Sequence, residues 1–69
     1  MKSQIINTRP TEEQMFLAYE AVRLSGRTNM LDLNRVANLA ITLKGVLLNH
    51  TEIISIIKDY DNLAEKYLS

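Results

Sequence analysis

The chain's single histidine, His50, is the first residue to weigh as a reactive group, because an imidazole can move protons near neutral pH or ligate a metal. It sits where a helix is expected to begin, and the chain has no cysteine and no second histidine. A histidine metal site takes two or more further ligands, so His50 reads as capping-region polarity. Carboxylates come together twice, at Glu12-Glu13 and at Asp59 and Asp61. Groups one or two positions apart on a helix do not face each other, so neither pair forms a shared-proton dyad. Ser3, Ser25, Ser55 and Ser69 have no base in a recognisable local arrangement. Gly26 and Gly45 are isolated, which excludes a phosphate-cradling loop. The expectation is no enzyme, no cofactor and no metal.

One polar pattern could recognise rather than react. Asn34, Arg35, Asn38 and Thr42 fall on one side of an expected helix, with Arg23 and Arg27 preceding it. Asn and Arg are the side chains that hydrogen-bond adenine and guanine edges. A helix-turn-helix built on Gly26 would need apolar residues six and nine positions on, yet those positions hold Asp32 and Arg35. The pattern fails in that register, and only a variant with a longer turn could use the stripe on DNA. Eight basic residues also balance eight acidic ones, whereas a protein held mainly by phosphates carries a basic excess. Any solvent-facing helix shows the same stripe.

The elements that would position these residues are helical. Thr11 with Gln14 forms a capping-box pattern, Glu12 and Glu13 suit the positive end of the helix dipole, and Gly26 is a natural stop. This predicts a first helix over 11–25. Asn29 or Asp32 can cap a second helix over 30–44, which Gly45 ends. Lys44 projects toward its apolar side, so that end frays or the lysine snorkels. Asn49 with Glu52, and Leu48 with Ile53, make a box and a staple for a third helix over 50–67. Residues 1–10 read as an N-terminal arm, with Ile5 and Ile6 tucked against the body. The fold class expected is all-α, a small three-helix domain, dimeric.

Sixty-nine residues make one domain near the lower size limit for folding without staples. An apolar share of 46% is that of a globular chain. No stretch approaches the roughly 18–20 apolar residues of a membrane span, and the first ten residues lack a signal-peptide core, so cytoplasmic residence is the default.

Apolar spacing then raises a question of coverage. The third helix carries Ile53, Ile56, Ile57, Tyr60, Leu63, Ala64 and Tyr67 along one stripe, and the second carries Leu33, Val36, Ala37, Ala40 and Leu43. The first helix is apolar on two sides. Met15, Ala18, Tyr19 and Val22 form one face; Leu17, Ala21 and Leu24 form another nearly opposite. Three helices of this size cover about one side of each neighbour, which leaves two readings: a compact monomer covers both stripes with some leucines as ordinary exposed surface, or a second chain covers part of them, with Leu17, Ala21 and Leu24 the candidate surface for self-association or a protein partner.

The run from Glu20 to Ala40 reads E-A-V-R-L-S-G-R-T-N-M-L-D-L-N-R-V-A-N-L-A. Its Arg23 followed by Ser25-Gly26, then Asn29-Met30, Leu31, Asp32, and the helix with Val36 and Ala40, resemble a family of small uncharacterised proteins. These come from phages and mobile elements of Gram-positive bacteria and are grouped as the domain of unknown function DUF5049. The resemblance covers about a third of the chain; the C-terminal part is similar in type only. It implies a phage or prophage origin and carries over no catalytic residue. The function expected is therefore a phage-type accessory protein, a small helical dimer that binds and inhibits or redirects a host or phage protein. An anti-CRISPR-like block of a defence nuclease is one concrete version. The alternative is a DNA-binding regulator of a phage genetic switch.

Overall fold

Thr11 starts the first helix as its spacing predicts. Its Oγ1 accepts a hydrogen bond from the Gln14 N–H at 3.1 Å, and Gln14 Oε1 accepts one from the Thr11 N–H at 2.9 Å. Helix α1 (Glu12–Ser25) then runs to Gly26, whose φ of 66° is the left-handed conformation that closes a helix end. In the computed structural model, which describes residues 10–68, three more helices follow: α2 (Leu33–Lys44), α3 (His50–Lys58) and α4 (Tyr60–Leu68). No strand occurs among the described residues. The expected arm, with Ile5 and Ile6, lies outside them except for Pro10.

The second helix starts later than the spacing implied. Asn29 Oδ1 accepts from the Leu31 N–H at 2.9 Å, which makes a side-chain turn and holds the chain out of the helix. Asp32 is the cap instead, its Oδ1 accepting from the Arg35 N–H at 3.3 Å. Lys44 is exposed at the far end, and Gly45 (φ 67°) turns the chain.

Residues 45–49 are irregular, with Leu47 outward at 68% exposure and Leu48 sealed at 2%. They carry the chain back along α2, because His50 Nε2 meets Asn34 Oδ1 at 2.9 Å, in the first turn of α2. At the end of this segment Asn49 and Glu52 close the second capping box.

The expected third helix over 50–67 is two helices. Asp59 (φ −110°, ψ 20°) leaves helical geometry and its Oδ1 accepts from Asn62 Nδ2 at 2.7 Å. Aspartate is a poor helix-interior residue, and the helical run breaks at it. The bend lays α4 along α1 in antiparallel fashion, with Tyr60 at Glu20 and Tyr67 at Glu12.

The core is Phe16, Ala18, Tyr19 and Val22 of α1, Val36 and Ala40 of α2, Leu48, Ile53 and Ile56, and Leu63 of α4. Leu33, Ala37, Leu39 and Leu43 pack at its edge. Ile57, expected on the inner stripe of the third helix, is instead 37% exposed. The largest of the fully buried side chains, Phe16, lies outside the expected face of α1 and is the residue around which the tyrosines gather. Phe16→Ala should cost about 3–5 kcal/mol, enough to unfold so small a domain, whereas Leu31→Ala, at a side chain 78% exposed, should cost about 0.5 kcal/mol or less. Urea titration of the helical circular dichroism signal checks both.

Candidate interaction surface

One side of α1 is closed by the chain itself, partly by polar groups. Glu20 is only 6% exposed, on a helix that otherwise buries apolar side chains. Arg23 grips it from one turn on, Nε donating to Oε1 and Nη2 to Oε2, both at 2.7 Å. Tyr60 OH donates to Oε1 at 2.8 Å from α4, and the Arg23 guanidinium lies 5.8 Å from the centre of the Tyr60 ring. A buried carboxylate is tolerable only with such partners. The Arg23 bonds come first among the causes that hold the Glu20 carboxyl below the usual carboxylate range, against the opposing effect of burial. Burial, and then the bond to Glu20, push the Tyr60 phenol up.

A second clasp repeats the arrangement two turns earlier. Glu12 Oε1 accepts from Tyr67 OH at 2.7 Å and from Lys66 Nζ at 3.2 Å. The Tyr67 bond, followed by Lys66, lowers the Glu12 carboxyl; that same bond raises the Tyr67 phenol. Between the clasps, Phe16 has the Tyr60 ring at 5.6 Å and the Tyr67 ring at 6.0 Å. The tyrosine–carboxylate pairs are 40 and 55 residues apart in the chain, so spacing gives no sign of them. The local signal within reach is the i,i+3 relation of Glu20 and Arg23.

The other side of α1 is open. Leu17 is 37% exposed and Leu24 71%, with Ala21 half-buried between them. At about 100° per residue these three fall within roughly 60° of one another on the helix circumference, away from the arc that holds Ala18, Val22 and Tyr19. The structure thus brings the expected stripe together and leaves its two leucines facing solvent.

The polar stripe is differently placed. Asn34, Arg35, Asn38 and Thr42 are all exposed on α2, but Asn34 is taken up by His50 and Thr42 Oγ1 donates to the Asn38 carbonyl at 3.1 Å. Arg23 belongs to the Glu20 clasp rather than to this surface. Arg27 lies in the α1–α2 turn, its N–H donating to Ser25 Oγ at 3.2 Å. These partners give a nucleic-acid reading no added support.

Among the described residues no group of three or more His, Asp or Glu could hold a metal ion, and no helix is long and apolar enough to cross a membrane. No family model, curated protein or solved structure matches the chain.

The clasps set a pH dependence with a definite sign. Glu12 and Glu20 have folded values below their unfolded ones, near 4.5. Their stabilisation is therefore present above about pH 4.5 and lost as pH falls through the folded values. Tyr60 and Tyr67 have folded values above their unfolded ones, near 10.0, so their contribution is full below that and disappears as pH rises through the folded values. Helix α4 should loosen at both extremes, which amide exchange across residues 60–68 would report. Tyr60→Phe should cost about 1–3 kcal/mol at neutral pH and flatten the alkaline limb.

Proposed function

We propose that this chain is an accessory binding protein that self-associates through the outward face of α1, where Leu17, Ala21 and Leu24 pack against the same stripe of a second copy. The observation that supports the reading is the exposure of both leucines on a helix whose opposite side its own fold has sealed. Positions 17, 21 and 24 stand at i, i+4 and i+7, the spacing of one seam of a coiled coil. Burying a leucine contributes about 1.5–3 kcal/mol. With Leu17 37% and Leu24 71% exposed, covering both contributes about one full leucine, roughly 1.5–3 kcal/mol per chain, a sizeable part of the roughly 5 kcal/mol or less that so small a core supplies.

The first occupant is a second copy. Two α1 helices related by a twofold axis would bury the same stripe from both chains, the commonest form of soluble assembly. What supports a phage or mobile-element setting is the resemblance from Glu20 to Ala40; the target in that reading is a host or phage protein that the dimer blocks or redirects. A bacterial defence nuclease is the concrete case.

Leu17→Asp and Leu24→Asp should each turn the native dimer into a monomer with the parent helical signal, measured by light scattering and sedimentation velocity. A dimer of unchanged affinity in both variants would remove this interface. A parent chain that stays monomeric at every concentration would remove the second copy as its occupant.

A further inference from the structure

The joint at Asp59 separates two helices whose core-facing residues keep one register. Ile53, Ile56, Tyr60, Leu63 and Tyr67 are spaced three, four, three and four, and all are buried or half-buried. A single straight helix with that spacing carries an unbroken apolar seam. No glycine or proline lies at the joint to require a bend; it reads Lys58-Asp59-Tyr60-Asp61. The backbone already bonds in helical fashion on either side, Asp59 N–H to the Ser55 carbonyl at 3.1 Å and Leu63 N–H to the Asp59 carbonyl at 3.0 Å. An open cleft of about 320 Å³ lined by Ile57 to Asn62 adjoins the joint.

Helix α4 itself has nine residues, too few to be helical alone in water. Its place on α1 is fixed by Leu63, by the two rings against Phe16 and by the two clasps. Nothing in those contacts depends on α1 and α4 belonging to one chain. A one-residue hinge between elements that continue each other is the situation that favours exchange between copies.

From this we infer that α3 and α4 can join into one helix over residues 50–68, roughly 28 Å long, and that α4 then docks on the α1 of a second copy. Each copy would re-form the Tyr60–Glu20 and Tyr67–Glu12 bonds across the pair, and the two forms would differ only at the joint. The exchange uses the side of α1 opposite Leu17 and Leu24, so it stands apart from the proposed seam. It requires α4 to leave its own α1 first, so it accumulates on refolding at high concentration rather than on mixing native protein.

The ion pair of Lys66 and Glu12, 3.2 Å apart, offers a direct readout. Chains carrying Leu17→Asp, which removes the seam, are refolded together as a mixture of ¹⁵N-labelled and unlabelled copies. A water-soluble carbodiimide then condenses the Lys66 amine with the Glu12 carboxylate, the water lost being taken up by the reagent. Mass spectrometry of the joined peptides should show mixed-isotope pairs in the dimer fraction. Adding Asp59→Ala should raise that fraction and Asp59→Gly lower it. Their dimer dissociation constants should differ roughly 30-fold, with the helix-propensity difference counted once per chain. Joined peptides of single isotope composition only, in the parent joint and in Asp59→Ala alike, would overturn the exchange. Mixed pairs insensitive to both substitutions would overturn Asp59 as the hinge.

Discussion

A carboxylate removed from water must be answered by the fold around it, and Glu20 is where this chain meets that demand. Arg23 answers it locally and Tyr60 from forty residues away. Glu12 and Tyr67 repeat the connection two turns along, so that α4 is aligned on α1 by two points rather than one. The rings of those same tyrosines cover Phe16. Polar satisfaction and core closure are therefore one arrangement. Removing the Tyr60 hydroxyl unsettles a buried charge; removing either tyrosine ring opens the core.

That arrangement decides which side of α1 is left over. The chain has enough helix to enclose Ala18, Tyr19, Val22 and Phe16, with α2, α3 and α4 all touching α1. It does not enclose Leu17 and Leu24. Among the described residues, α2, α3 and α4 are all spent on the opposite side of the helix.

Local signals were legible wherever a backbone group had a single nearby solution. The boxes Thr11–Gln14 and Asn49–Glu52 formed as read, and Gly26 and Gly45 ended their helices. The break at Asp59 is hidden in the sequence because the apolar period runs straight through it, and only the low helix preference of aspartate marks it. The burial of Phe16 is hidden for a different reason. On the helix circumference it falls between Arg23 and Glu20, so the pattern marks that sector as polar. The charges there are in fact turned onto Tyr60 and one another, which frees the sector for burial. Long-range hydrogen bonds of this kind leave no periodic trace. The outward stripe Leu17–Ala21–Leu24 was legible because it needed only helical geometry, and its exposure agrees with the shortage of covering helix.

The central claim is that the open side of α1, and no other exposed apolar group, is what another chain covers. Leu31 and Leu47 serve as internal references, being as exposed as Leu24 at 78%, 68% and 71%. Methyl resonances of the leucines, followed with a soluble paramagnetic agent from dilute to concentrated protein, test the claim directly. Leu17 and Leu24 should broaden when dilute and become shielded as concentration rises, while Leu31 and Leu47 stay accessible throughout. Shielding of Leu31 or Leu47 in place of Leu17 and Leu24, or no change at any of the four, would contradict it.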